Sequence, residues 1–193
     1  MNNPHSAILE YVGKKIALSE NDREILISSF HFVKKDKNDL ILRKGSKTEY
    51  LYFIINGYMR CFHQKEGGEE VTTQIWGPGD FATSFESFLK SNLSPDYIQC
   101  ISNCELLCIT KNDHENLYSA IEGWPLFCQN VYETYILRMS ERMHILQNLS
   151  ASERYMRLLN KQPNIALNTS VKHLASYLGI QPQSLSRIRK SIK

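Results

Sequence analysis

The stretch that most restricts the fold of this chain is residues 171–192, VKHLASYLGIQPQSLSRIRKSI. In its first half, apolar residues keep the spacing of one helix face. These residues are Val171, Leu174, Ala175 and Leu178. Gly179 then supplies a turn, and Pro182 suits the first turn of a second helix. The sequence therefore predicts a helix-turn-helix.

The second of these helices has an apolar face and an opposite face that carries donors and cations but no carboxylate. The apolar residues, 3 and 4 positions apart, are Leu185, Ile188 and Ile192. The opposite face holds Gln183, Ser186, Arg187 and Lys190. This face suits the DNA major groove, because phosphates repel acids and base edges are read by Arg, amide and hydroxyl side chains. A solvated helical hairpin is the alternative from this stretch alone.

Charge is distributed unevenly along the chain. Residues 151–193 hold eight Lys or Arg and one acid, a net charge of +7, whereas the whole chain carries +3 and the remainder therefore −4. This balance indicates a polyanion-binding module attached to a mildly acidic body. The chain has 193 residues, 42% of them apolar, which is enough to bury a core. It has no apolar run of about 18 residues and no signal pattern, so we predict a cytoplasmic protein with no membrane partner.

Upstream, the sequence predicts a β-barrel or jelly roll between two groups of helices. Residues 6–16 and 19–30 have helical patterns, and Ser19 is the expected N-cap of the second. From Phe32 to Ile109 the chain has short aromatic and β-branched runs broken by Gly-containing turns. The clearest hairpin is Tyr50 to Phe62, with Asn56-Gly57 at its turn. Several strands at close spacing favour a barrel or jelly roll.

A long helix is predicted at residues 125–148, after a short one at 111–121 and before another at 150–162. Its apolar stripe steps by 3 or 4 residues. The stripe consists of Cys128, Val131, Tyr135, Met139, Met143 and Leu146. It can pack on its own barrel, but nearly seven turns exceed what a small barrel covers, so we favour a homodimer interface at Val131, Tyr135, Met139, Met143 and Leu146.

The order of these parts resembles the family of catabolite activator and fumarate-nitrate regulators (Crp/Fnr), over nearly the whole chain. Similar segments are Lys44-Gly45, Leu51-Tyr52-Phe53-Ile54 leading to Gly57, Gly77-Pro78-Gly79-Asp80-Phe81, Ile98 followed by Glu105-Leu106-Leu107, and Ser184 to Lys190. Residues 175–180 and 185–189 are similar to the variant of the family common in Bacteroidetes. The fold class expected is α+β. The expected parts are a cyclic-nucleotide-binding-like jelly roll at residues 1–121, a dimerisation helix at 122–149 and a helix-turn-helix domain at 150–193.

The resemblance implies a DNA-binding transcriptional regulator whose partners are duplex DNA and a second copy of the chain. It also suggests RNA polymerase as a third partner. The family's three base-reading positions fall on Pro182, Gln183 and Arg187, and Pro182 offers no polar group. Gln183 can bridge adenine and Arg187 can hold guanine. Further DNA contacts are expected from Ser184, Ser186, Arg189, Lys190, Lys193, Lys172 and Ser170. The family usually adds a β-hairpin wing after the recognition helix. The sequence ends at Lys193, so we expect a weaker grip on the DNA backbone.

The effector pocket departs from the family's pattern. Cyclic AMP binders carry a Glu for the ribose and an Arg for the cyclic phosphate, and these positions fall here on Ser84 and Ser94. Loss of the Arg removes a charge-assisted hydrogen bond of about 1.5–3 kcal/mol. We therefore expect no useful affinity for cyclic AMP. The pocket either holds another small molecule, with Thr83, Ser84, Ser87 and Ser94 as polar contacts, or is filled by Phe81, Phe85 and Phe88.

No catalytic, metal or cofactor site is predicted. Cys100, Cys104 and Cys108 share one face of a strand, which is compatible with a redox cluster, but core packing is favoured. Five cysteines, an odd number, fit a reducing compartment. The six histidines are scattered and offer no metal-ligand spacing. The alternatives to a regulator are a cupin-like ligand-binding module whose C-terminal helices contact proteins and, less favoured without metal ligands, a cupin enzyme.

Overall fold

The computed structural model describes residues 3–192, which form nine helices and eight strands. The helices are α1 Ser6–Gly13, α2 Glu20–Ser29, α3 Phe85–Lys90, α4 Lys111–Ala120, α5 Trp124–Asn148, α6 Ala151–Lys161, α7 Pro163–Asn168, α8 Val171–Leu178 and α9 Pro182–Ser191. The strands are β1 His31–Lys35, β2 Leu40–Leu42, β3 Tyr50–Asn56, β4 Met59–Gln64, β5 Glu70–Trp76, β6 Phe81–Ala82, β7 Tyr97–Cys100 and β8 Cys104–Thr110.

The strands form two antiparallel four-stranded sheets, ordered β1-β8-β3-β6 and β2-β7-β4-β5. The predicted α+β class with an N-terminal jelly roll is confirmed. The chain passes from β3 in the first sheet to β4 in the second through Gly57, at a φ of +94°. The predicted Tyr50–Phe62 hairpin is wrong, because β3 pairs with β6 and β8 whereas β4 pairs with β5 and β7. A Cβ at Gly57 would lie 2.3 Å from the Asn103 carbonyl oxygen. Glycine is therefore required at this turn, both for its φ and for the close approach of the backbone.

Two apolar clusters hold the barrel together. Between the sheets, one cluster includes Ile54, Met59, Trp76 and Leu106. On the outer face of the first sheet, helices α1, α2, α4 and the start of α5 pack over Phe53. The two sheets therefore share one core, and the helices cover one side of it.

The helix ends follow the sequence signals closely. Ser19 caps α2 in a capping box with Asp22, as predicted. Ser150 caps α6 in the same way with Glu153. The short helices α3 and α7 were not predicted, because six residues carry too few turns to show a periodicity.

The C-terminal helices have their own apolar core, which includes Tyr155, Leu158, Leu174 and Leu185. Barrel residue Ile75 belongs to the same cluster. The C-terminal helices therefore pack directly on the second sheet.

Candidate nucleic-acid interface

Helices α8 and α9 form the predicted helix-turn-helix. The hydroxyl of Ser170 accepts a hydrogen bond from the backbone N–H of His173 (3.2 Å) and caps α8. Gly179 ends α8 in the left-handed conformation, at a φ of +68°, and the N–H of Ile180 donates to the Ala175 carbonyl (3.0 Å). Pro182 occupies the first turn of α9. The turn residues singled out in the sequence therefore set the angle between the two helices.

Helix α9 presents its polar face to solvent. Gln183, Ser186, Arg187 and Lys190 are exposed, while Leu185 is fully buried. The helix contains no acidic residue. Within residues 3–192, Arg187 and Lys190 take part in no salt bridge. These donors are therefore free to meet a polyanion.

The other predicted DNA contacts have mixed surroundings. Lys172 is exposed and Ser184 is half-buried. The hydroxyl of Ser170 is already used as the α8 cap. Arg189 is half-buried, donates to the Ala166 carbonyl at 3.4 Å and lies 5.6 Å from the Tyr155 ring. Arg189 is thus partly held by its own domain, and Lys193 lies outside the described residues.

The four residues predicted to contact an effector are all buried, and most of their hydroxyls serve their own backbone. The Thr83 hydroxyl donates to the Tyr50 carbonyl at 3.1 Å. The Ser87 hydroxyl donates to the Asn92 carbonyl (2.5 Å) and accepts from the Thr48 N–H (3.2 Å). Only Ser84 is without a side-chain hydrogen bond within residues 3–192.

Ser94 bonds within its own loop, where its hydroxyl donates to the Asp96 carbonyl at 3.1 Å. The phenylalanines considered as filling are not between the sheets. Phe81 and Phe88 pack under the helices, and Phe85 contacts Tyr135 with ring centroids 4.5 Å apart. The hydroxyls of Thr83, Ser87 and Ser94 consequently form a buried shell bonded to backbone groups, next to a cavity of about 330 Å³ that Thr48 and Tyr50 line.

The stripe predicted as a dimer interface faces its own chain over much of its length. Val131 packs against the helix-covered core, and Tyr135 accepts a hydrogen bond from the Gln74 amide at 3.3 Å. Met139 lines a cleft beneath α5, and Leu146 lines the same cleft. Met143 is 58% exposed. Val131 and Tyr135 thus contact their own chain, as in the alternative where the stripe packs on its own barrel, whereas Met139 and Leu146 border an open cleft and Met143 is exposed.

The most exposed apolar residues of α5 border this stripe. Ile136 is 62% exposed and Leu137 is 69% exposed. Together with Met143, which lies on the same side of the helix as Ile136, we call them the outer α5 patch. The sequence missed this patch because Ile136 and Leu137 fall beside the regular stripe.

The contact between α8 and β5 brings polar groups of both domains together. The Ser176 hydroxyl accepts from the Thr72 N–H at 2.9 Å and donates to the Glu70 carbonyl at 3.1 Å. Arg142 of α5 donates to the Tyr177 carbonyl at 2.9 Å, and its guanidinium lies 3.9 Å from the Tyr177 ring. Sequence periodicity gave no signal for these bonds, because they join segments about 35 to 106 positions apart.

Burial and positive neighbours set the protonation of His173 at this contact. Burial lowers the pKa of His173 to about 4, and Arg60, Lys172 and Lys37 act in the same direction. Glu70 opposes the shift. Arg60 itself is buried and pairs with Glu70 at 2.6 Å. The ring is therefore neutral at pH 7.

Residues 3–192 contain neither a metal-ligand group nor a membrane-spanning helix. No group of three or more His, Cys, Asp or Glu residues in the range 3–192 is placed to hold a metal ion. All five cysteines are buried and unpaired with each other. Residues 3–192 also contain no helix that combines the length and hydropathy needed to cross a bilayer.

Comparison with known proteins gives one domain family and several structural matches over most of the chain. The family model of the cyclic nucleotide-binding domain matches residues 32–120. The cAMP-activated global transcriptional regulator CRP of Pasteurella multocida is 28% identical over 83 residues, which span 43% of this chain and 40% of that protein.

Two solved structures extend the likeness to the C-terminal helices. FixK2 from Bradyrhizobium japonicum superposes with a TM-score of 0.74 at 16% identity, over 84% of each chain. The c-di-GMP responsive global regulator CLP of Xanthomonas campestris superposes with a TM-score of 0.68 at 20% identity, over 88% of this chain and 89% of that one. At these identities the structures show a shared fold.

Proposed function

This chain belongs to the Crp/Fnr family of regulators, and from this premise we propose that it is a homodimeric, DNA-binding transcription regulator. The observation that carries the proposal is the exposed face of α9. Gln183, Arg187 and Lys190 stand there without a carboxylate beside them, on a helix anchored by buried Leu185. A face of this chemistry suits a major groove.

Each polar residue of the interface has a proposed role. Arg187 holds a guanine through two hydrogen bonds and Gln183 bridges an adenine. Lys190 and Lys172 contact phosphates, with Arg189 in a supporting position because it is partly held by Ala166. Ser170, Ser184 and Ser186 lie on the same two helices as further contacts. The family's regulators are not enzymes, and we assign this chain no catalytic role. With DNA as its partner, we propose that the protein is located in the cytoplasm.

The second copy is proposed to pair through α5. Two α9 helices related by a two-fold axis would then reach successive major grooves, about 34 Å apart, on a two-fold-related operator. The outer α5 patch supplies exposed apolar surface for this contact, and it includes Met143 from the predicted stripe.

The experiment that tests DNA readout is selection from a random duplex pool. With wild-type protein we expect a two-fold-related consensus. Arg187→Ala should relax the preference at one position per half-site, by about 1–3 kcal/mol of discrimination. Lys190→Ala is the matched control, since removal of a phosphate contact lowers affinity evenly across sequences and reduces the salt slope by about 1.

Two results would contradict the DNA proposal. One is a log-log slope of affinity against salt near zero, which means no phosphate contact and favours the alternative ligand-binding module whose C-terminal helices contact proteins. The other is an Arg187→Ala variant that keeps the full wild-type consensus.

The sensor domain is proposed not to use cyclic AMP. Ser84 and Ser94 stand where the resemblance expects the ribose-binding Glu and the phosphate-binding Arg. The hydroxyl of Ser94 also already donates a hydrogen bond to the Asp96 carbonyl. A buried phosphate without a guanidinium loses a factor of about ten to a hundred in affinity. Calorimetric titration of the full chain with cyclic AMP should therefore show no saturable binding at micromolar concentrations, and a saturable isotherm would contradict this proposal.

A further inference from the structure

A cleft at the junction of the barrel, α5 and the C-terminal helices concentrates positive charge. It has a volume of about 140 Å³ and is partly open to solvent. The cations along it are Arg138, Arg142, Arg154, Arg157 and Lys161. Its carboxylates are Asp80 and Glu141. Five cations face two carboxylates, so the cleft carries an excess of three positive charges.

The two carboxylates are already committed to three of the cations. Asp80 pairs with Arg138 at 2.5 Å. Glu141 pairs with Lys161 at 2.6 Å and also with Arg157. The local acids therefore leave Arg142 and Arg154 without a counterion.

Arg142 and Arg154 are half-buried and lack a carboxylate partner within residues 3–192. Arg142 contacts only the aromatic ring and backbone oxygens, through Tyr177 and a weaker 3.4 Å bond to the Thr72 carbonyl. Arg154 makes no side-chain hydrogen bond there, and its Nε is buried without a partner. Burial lowers the pKa of Arg142, and repulsion from Arg154 acts in the same direction. Two neighbouring guanidiniums without a carboxylate, one of them with a buried donor that has no partner, are a costly arrangement unless an anion joins them.

The barrel end of the same cleft is aromatic. Tyr11, Phe81, Phe85 and Tyr135 line it. A volume of about 140 Å³ is close to that of an engineered cavity of about 150 Å³ that accepts benzene. The aromatic end of the cleft therefore has room for one small ring, and the cationic end of the cleft lies next to that space.

We propose that this junction cleft binds a small organic phosphate, with Arg142 and Arg154 on the phosphate and the aromatic end on the apolar body. A phosphate monoester is favoured over a carboxylate because two uncompensated guanidiniums need a charge near −2 and three acceptor oxygens. The site differs from the buried serine shell of the barrel, and the inference does not rest on DNA binding.

The ligand would join three separate parts of the fold. Arg142 lies on α5, Arg154 lies on α6, and Tyr177 beneath Arg142 lies on α8. A bound anion therefore stabilises the packing of the C-terminal helices against α5, by an amount that rises with the logarithm of one plus its concentration over its dissociation constant.

The test is a calorimetric titration of the full chain at low salt with phenyl phosphate, benzoate and phenol as probes. We expect saturable binding of phenyl phosphate, weaker binding of benzoate by about tenfold or more, and none of phenol. Arg154→Gln should weaken phenyl phosphate binding by about ten- to a hundredfold, the loss of one charge-assisted hydrogen bond. Since Arg154 makes no side-chain hydrogen bond within residues 3–192, we expect this change to leave the fold intact, which melting curves can verify.

Two controls locate the anion. Arg43→Gln removes an exposed guanidinium from the barrel, away from the cleft, and should leave the affinity unchanged. Arg187→Gln removes one from the DNA face and should also leave it unchanged. The proposal is overturned if wild-type protein shows no saturable binding, if Arg154→Gln binds as tightly as wild type, or if Arg187→Gln is the variant that loses binding. DNA affinity is measured separately, so the failure of either proposal is distinguishable.

Discussion

The residues at the contact between the barrel and the C-terminal helices have surroundings that the sequence did not predict. His173, one of the scattered histidines, is half-buried beside Arg60 and Glu70 of the barrel. Arg189, expected at a phosphate, bonds the Ala166 carbonyl. The element that contacts a side chain on a short helix is decided by tertiary packing, so the helix sequence alone does not identify it.

The low pKa of His173, about 4, makes the stability of this contact depend on pH. The folded chain favours the neutral ring, so its contribution is complete above the ordinary pKa of about 6.5 and is lost as the pH falls towards 4. The midpoint of thermal unfolding should therefore fall over this range in a calorimetric series.

A His173→Gln variant should show a shallower fall, because its side chain does not titrate. His114 is also buried, with its pKa lowered to about 4, and it supplies the slope that remains. The exposed His31 is the matched control, so that His31→Gln should keep the wild-type slope. Equal slopes for His173→Gln and wild type would show that the ring is not buried at this contact.

At the scale of elements, α5 shows how one helix can serve several neighbours. Its first turns pack under the barrel helices, its middle faces the cleft, and its outer side carries the exposed patch. Apolar residues spaced 3 and 4 positions apart predict that one face of a helix is buried, but they do not identify the element that covers this face. The partner along much of α5 is the same chain.

The outer α5 patch makes a specific prediction about the dimer. Ile136→Glu should convert the protein to monomers in sedimentation, because a carboxylate at a paired apolar face is strongly unfavourable. Leu167→Glu, at a leucine that is 79% exposed on α7, should keep the dimer mass.

Leu137→Glu separates two sides of the helix, because Ile136, Met139 and Met143 lie 3 and 4 positions apart on one side of α5 and Leu137 lies about 100° away from Ile136. If the side with Met139 forms the interface, Met139→Glu and Ile136→Glu both yield monomers and Leu137→Glu does not. A wild-type protein that sediments as a monomer would contradict the dimer altogether.

At the scale of the whole molecule, the packing of α8 on β5 leaves the recognition face open. Ser176 bonds Thr72 and Glu70 on one side of α8, while Arg187 and Lys190 of α9 remain exposed on the other. Helix α9 therefore presents its polar face outward while its domain is anchored to the barrel. The junction cleft lies at this same joint, so a ligand there would act on the element that positions α9.

The sequence by itself determined the features that depend on near neighbours along the chain. The helix-turn-helix followed from Gly179, Pro182 and the apolar spacing around them, and the cap of α2 followed from Ser19. These signals are local, because a turn conformation or a helix cap needs only a few consecutive residues. The order of strands and helices then resembled one family closely enough to give the fold.

Tertiary structure alone decided which surfaces are free. The hydroxyls of Thr83, Ser87 and Ser94 satisfy backbone groups, which no composition or spacing can show. Arg142 and Arg154 lie on different helices, and their shared cleft exists only because α6 and α8 fold back on α5. Contacts of this kind join residues far apart in the chain, so their partners are fixed by long-range packing rather than by any local pattern.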